Sequence, residues 1–144
     1  MIIKKGFVEI SEDECRLIVD DRFLLVNFPV KKAIKFHLYY EKIKNKQIES
    51  LSTEIQNLIE FSNDELLAFE EKEAFEKSLI VIYSLLKKHN IIMISDIGLS
   101  NESIKNFKII MEKVMEILDN KSLYFVRKKY EFISDDEWFT RIGN

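Results

Sequence analysis

The chain has 144 residues, of which 47% are apolar and 33% charged, and a net charge of −3. That is enough for one domain with a core, and too apolar for an intrinsically disordered chain. Because Cys15 is the only cysteine, an internal disulfide is excluded, and we expect a buried thiol. No apolar stretch has the length of a membrane span or the pattern of a signal peptide, so we expect a cytoplasmic protein.

The first 28 residues read as strands. Residues 2–10 alternate loosely between apolar and polar side chains, as a strand does. "SEDE" at 11–14 predicts a turn, and residues 16–28 predict two strands joined at Asp20 and Asp21.

The middle of the chain is predicted to be helical. Pro29 suits the first turn of a helix, and helical character continues to about residue 61, with a break near Asn45. Apolar residues at three- and four-residue spacing predict another helix over 71–88.

The region after residue 90 reads as strand, helix and strand. Residues 91–94 form a short apolar run typical of a buried strand, Ser100 or Asn101 caps a helix, and a second apolar strand covers 123–126. That order implies parallel pairing. We therefore predict one α/β domain over 1–144, a P-loop-like parallel or mixed sheet flanked by helices, with a helical extension at about 45–72.

The loop before Ser100 lacks the features of a phosphate-binding loop. It contains one glycine between the bulky Ile97 and Leu99, and neither GK[ST] nor G-x-G-x-x-G occurs in the chain. We expect no nucleotide-binding loop. His37 and His89 lie on different predicted helices, and Cys15 has no histidine nearby in sequence. With no catalytic motif in view, we expect a protein that is not an enzyme.

Lysines are concentrated in residues 31–46, which contain a single acid, Glu41. On a helix starting at Pro29, most of these lysines fall near one face, where they repel each other unless phosphates neutralise them. An ordinary solvated face is the alternative. Arg127 opens a second basic run. The predicted DNA-binding residues are Lys31, Lys32, Lys35, Lys42, Lys44, Lys46, Arg127, Lys128 and Lys129.

Carboxylates are concentrated in residues 60–76. Oxygen ligands at flexible spacing suit calcium, although the EF-hand spacing is absent, and a solvated acidic face is the alternative. The candidate calcium ligands are Glu60, Asp64, Glu65 and Glu70.

Several motifs of the second half together resemble a known family. They are the "FEK" helix start at 75–77, the Lys87-Lys88 turn, the strand at 91–94, the Ser100 cap, and a strand with a basic end followed by "ISDDEWF" at 123–139. In this order they resemble the small DNA-binding adaptation protein of type II-A CRISPR systems, over roughly the last two thirds of the chain. This chain is shorter, so it would carry a reduced helical domain.

The resemblance implies a P-loop-like head without a working ATP site. It also implies a homotetrameric ring that holds double-stranded DNA in a lysine-lined channel, with calcium supporting the assembly. The family's calcium-associated carboxylates would fall in the acidic stretch from residue 60 to 73. The implied partners are the integrase pair and the effector nuclease of the same CRISPR locus.

A different class of function also fits the charge pattern. A small acidic protein-binding module, such as an immunity protein or a phage-encoded inhibitor, would use residues 60–76 or the acidic tail against a basic partner. Substitution of the lysines of residues 31–35 would abolish DNA binding in the first case and have little effect in the second.

Overall fold

The computed structural model describes residues 2–59, 69–95 and 100–127, with the backbone alone at 57–59 and 69–72. This part of the chain forms an α/β fold, a four-stranded, all-parallel sheet flanked by five helices. In chain order the elements are β1 (Gly6–Ser11), α1 (Glu12–Ile18), β2 (Leu24–Val26), α2 (Phe36–Lys42), α3 (Asn45–Ile59), α4 (Phe69–Lys88), β3 (Ile91–Ile94), α5 (Asn101–Ile117) and β4 (Ser122–Arg127). The predicted fold class is confirmed.

The strands are arranged in the order β1-β4-β3-β2. β4 is central and pairs with β1, where Gly6 is opposite Ser122, and with β3, where Ile94 is opposite Phe125. The predicted parallel pairing of β3 and β4 is confirmed. Because the described strands all run in one direction, their first residues share one side of the sheet, which we call the amino edge. Their last residues share the opposite side, the carboxyl edge.

Both faces of the sheet are covered by apolar side chains. On one face Ile92 and Phe125 pack with residues of α3, α4 and α5, including Phe107. On the other face Met93 and Tyr124 pack with α1 and with the chain between β2 and α2. Successive strand residues therefore point into two different cores, which explains why β3 and β4 are continuously apolar rather than alternating.

The predicted strand that begins at residue 16 is wrong, because residues 12–18 form α1. The Ser11 hydroxyl accepts a hydrogen bond from the Glu14 backbone N–H, and the Glu14 carboxylate accepts one from the Ser11 N–H. This capping box starts a helix where "SEDE" predicted a turn. Of the strand predicted after Asp21, only Leu24–Val26 is a strand in the structure, namely β2.

The helix predicted to start at Pro29 is also wrong, because α2 begins only at Phe36. The preceding residues fold back on the end of β2. The Asn27 N–H donates to the Ile34 carbonyl, and the Ile34 N–H donates to the Leu25 carbonyl at 3.0 Å. These bonds pair Ile34 with Val26 at the end of β2, so the Ile34 N–H is not free for a helical bond to the Val30 carbonyl. The predicted break near Asn45 is confirmed, since α2 ends at Lys42 and α3 begins at Asn45.

The later predictions agree with the structure. The helix over 71–88 corresponds to α4, and the Ser100 hydroxyl caps α5 by accepting a hydrogen bond from the Ser103 N–H. The loop at 96–99, residues 60–68 and the tail from 128 lie outside the described residues. The predicted absence of a nucleotide-binding loop and the predicted single domain over 1–144 therefore remain predictions.

The aromatic packing of Phe107 gives the first test. This side chain is fully buried, with its ring centroid 6.3 Å from that of Phe75 and 5.6 Å from that of Phe125. We expect Phe107→Ala to lower the free energy of unfolding by about 3–5 kcal/mol, through lost burial and the cavity left behind. Ile109→Ala on the same helix, where the side chain is 53% exposed, should change it by less than about 0.5 kcal/mol. Urea unfolding measures both, and equal losses would contradict this packing.

Candidate functional site

The structure separates the lysines that the sequence placed on one helical face. Lys31 and Lys32 are exposed in the segment that follows the carboxyl end of β2. Lys35 is partly buried, and its Nζ donates to the Phe28 carbonyl. Lys42 ends α2. The prediction of a shared helical face is wrong because the chain before Phe36 extends the sheet instead of starting a helix.

Arg127, the last residue of β4, lies at the carboxyl edge. Its Nε is 3.7 Å from a carboxylate oxygen of Glu9, and its guanidinium lies 6.0 Å from the centre of the Phe125 ring. Glu9 also forms an ion pair with Lys108. Arg127 therefore shares a counter-charge with a neighbouring lysine. Lys128 and Lys129, which complete the predicted basic run, lie outside the described residues.

A groove of about 390 Å³ lies between α2, α3 and α4. Lys42, Lys87 and Lys88 line it, and we call it the lysine groove. It forms because α2 packs on α4, with the Tyr39 hydroxyl 3.4 Å from that of Ser84. Since α4 ends immediately before β3, the groove opens beside the amino edge of the sheet.

Further lysines continue this surface along the amino edge. Lys121 Nζ donates to Asn90 Oδ1 at 3.0 Å and to the His89 carbonyl at 3.4 Å, which brings it beside the end of α4. Lys5 Nζ donates to Asn120 Oδ1 at 2.8 Å. We call the resulting surface the basic edge. It comprises Lys5, Lys42, Lys87, Lys88 and Lys121.

Two backbone conformations hold this edge in shape. Gly6, which starts β1, has φ of +89°, a value that favours glycine. Asn120 has φ of +71°, which asparagine tolerates better than most residues. The Gly6 N–H donates to the Lys121 carbonyl at 2.9 Å, so the segments that carry Lys5 and Lys121 are fixed side by side.

One lysine of the groove has an internal counter-ion. Lys87 Nζ lies 2.9 Å from a carboxylate oxygen of Glu54 and 5.5 Å from the centre of the Tyr83 ring. The hydrogen bond from Lys87 lowers the pKa of Glu54. Within the described residues, Lys42 and Lys88 have no ion-pair partner. The groove therefore offers unneutralised positive charge.

The sequence contained a signal for the basic edge that was not used. Lys5 precedes β1, Lys88 lies just before β3, and Lys121 precedes β4. Basic residues before several strands of a parallel sheet must meet at its amino edge. These three lysines come from distant segments, so no single stretch of the sequence shows them as a basic run.

The calcium prediction falls outside what the structure describes. Glu60, Asp64 and Glu65 lie in the undescribed stretch 60–68, and the side chain of Glu70 is also undescribed. Among the residues that are described, no group of three or more histidine, cysteine or carboxylate side chains could hold a metal ion. Calcium binding stays a prediction.

Comparison with known proteins does not place the chain in a family. No family model matches it, and searches of curated proteins and of solved structures gave no significant match. None of the helices in the described part of the chain is long and apolar enough to cross a membrane.

The thiol of Cys15 should be inert in the folded protein. Burial, with a contribution from Glu12, raises its pKa to about 12. The thiolate fraction at pH 8 is then about a thousandfold below that of an exposed cysteine, and labelling by a thiol-specific disulfide reagent should slow at least as much. Leu17→Cys on the same helix, at a position 86% exposed, should add one fast-reacting thiol. Fast labelling of the native wild type would contradict this burial.

The Glu54–Lys87 pair predicts a small effect of pH on stability. Because the pKa of Glu54 is lower in the folded state, its contribution is present above its ordinary value of 4.5 and is lost as pH falls through the folded value. The Glu54 side chain is 39% exposed, so we expect Glu54→Gln to cost at most about 0.5 kcal/mol at pH 7. Urea unfolding at pH 7 and pH 3 should show this difference vanish in acid, and a constant difference would contradict it.

Proposed function

We propose that this protein is a non-enzymatic, sequence-independent double-stranded DNA-binding protein that acts in CRISPR spacer acquisition. The observation that carries the DNA-binding part is the basic edge. Lysines from four separate segments of the chain, at positions 5, 42, 87–88 and 121, lie along one side of the sheet. A lysine-rich proteome gives scattered lysines but does not by itself explain this convergence.

The chemistry of these side chains favours a phosphate backbone over a single small ligand. An ammonium group is a point charge with rotatable donors, so it binds a phosphate without reading a base. If Lys5, Lys42, Lys88 and Lys121 each meet one phosphate, log K should fall with log salt at a slope of about −3 to −4 per subunit. Binding would thus be strong at low salt and insensitive to sequence.

The role in spacer acquisition rests on the family resemblance of the second half. The "FEK" motif at 75–77 lies inside α4, which begins earlier at Phe69, and Lys87-Lys88 end that helix. β3, Ser100 and β4 follow in the order that the resemblance implies. The proposal includes a homotetramer, support of the assembled form by calcium, and interaction with the integrase pair and the effector nuclease. Lysines contributed by several subunits would increase the number of phosphates contacted.

Two double variants with the same change in charge test the position of the interface. Lys42→Gln/Lys88→Gln removes two charges from the basic edge, and Lys31→Gln/Lys32→Gln removes two beyond the carboxyl end of β2. We expect the first pair to weaken binding to a short blunt duplex about tenfold and to reduce the salt slope by about two per subunit. The second pair should bind within about twofold of the wild type. Fluorescence anisotropy across a salt series measures both.

The outcomes separate the competing interpretations. Loss of binding with the Lys31 and Lys32 pair alone would assign the interface to the other end of the sheet. Absence of duplex binding by the wild type at low salt, with and without calcium, would overturn the proposed function and favour the acidic protein-binding module. Light scattering in the same buffers tests the homotetramer, which a monomer at binding concentrations would contradict.

A further inference from the structure

Glu54 occupies an unusual position for a protein that binds a polyanion. It is the only acid among the described residues that line the lysine groove, where Lys42 and Lys88 supply positive charge. Its carboxylate bridges α3 to α4 by accepting a hydrogen bond from Lys87. A carboxylate here repels phosphate at the point where the surrounding lysines attract it.

The Glu54–Lys87 pair differs from the Glu73–Lys77 pair of α4. Lys77 pairs with Glu73 one turn away on the same helix, outside the groove lining. Glu54 and Lys87 are separated by 33 residues in the sequence and meet only because α3 packs on α4. The tertiary structure therefore brings an acid into a basic site.

The pair is held in place but remains accessible. Lys87 Nζ lies 2.9 Å from a carboxylate oxygen of Glu54 and 5.5 Å from the centre of the Tyr83 ring. The side chains of Lys87 and Glu54 are nevertheless 44% and 39% exposed. A phosphate that enters the groove can therefore reach Lys87.

We propose that Glu54 is an internal competitor of the DNA phosphate, which holds Lys87 in the free protein and is displaced from it on binding. This inference rests on the proposed function, because it assigns a role to one residue at the same site. The displacement opposes binding, so the duplex affinity is lower than the lysines alone would give. A protein that must release DNA after capturing it benefits from such a limit.

The test is a charge-neutral variant with a matched control. Glu54→Gln keeps the shape of the side chain and frees Lys87. Glu49→Gln removes the same charge from the same helix at an exposed position that does not line the groove. We expect Glu54→Gln to bind a short blunt duplex about two- to fivefold more tightly, the range of an exposed ion pair. Its salt slope should steepen by about one per subunit, and Glu49→Gln should differ little from the wild type.

A double variant shows whether the gain acts through Lys87. In the Lys87→Gln background, Glu54→Gln should no longer steepen the salt slope, since the lysine it would free is absent. A purely general effect of negative charge would instead give the same change in both backgrounds. Thermal unfolding followed by circular dichroism confirms that each variant is folded at the assay temperature.

Each result has a distinct meaning. If the wild type binds duplex and Glu54→Gln is no tighter than Glu49→Gln, the inference is wrong and the proposed function stands. If the gain persists unchanged without Lys87, the displacement mechanism is wrong. If neither the wild type nor Glu54→Gln binds at low salt, both proposals fail, because in this variant the groove carries its full positive charge.

Discussion

The common direction of the four described strands is the constraint on which the rest of this structure depends. A parallel strand pair cannot be closed by a tight hairpin, so each strand must be followed by a crossover that returns the chain to the starting edge. Those crossovers bring helices onto the sheet and bury its central strands on both faces. The residues that precede each described strand therefore all lie at the amino edge.

The basic edge is a direct consequence of that constraint. Lys5, Lys88 and Lys121 are far apart in the sequence. Each lies shortly before a strand, so all three lie at the amino edge of the sheet. α2 adds Lys42 because it packs on α4, whose last turn already carries Lys87 and Lys88. Ligand sites in open α/β sheets commonly occupy the carboxyl edge. Here Arg127 at that edge shares Glu9 with Lys108 of α5, whereas Lys31 and Lys32 beyond the end of β2 are exposed.

Paired and unpaired charges have different roles on this surface. Under the proposed function, Lys42 and Lys88, which have no ion-pair partner in the described part, would supply long-range attraction for phosphates. Glu54 neutralises Lys87 in the free state and so limits how strongly the groove attracts an anion. Under the two proposals, the balance between these two groups, rather than the net charge of −3, would govern affinity for a polyanion. A weakly acidic protein can therefore present a basic surface.

The sequence by itself determined the second half of the fold. The apolar runs at β3 and β4, the Ser100 cap and the apolar spacing of α4 and α5 are local patterns, and each is confirmed. The first half was not determined locally. Leu17 and Ile18 lie in an apolar run that predicted a strand, but the capping box of Ser11 and Glu14 starts a helix that continues to Ile18. Pro29 suits a helix start, but pairing of Ile34 with the end of β2 prevents one. Only the tertiary structure decided which lysines lie together, because proximity at a sheet edge depends on strand order and direction and not on distance along the chain.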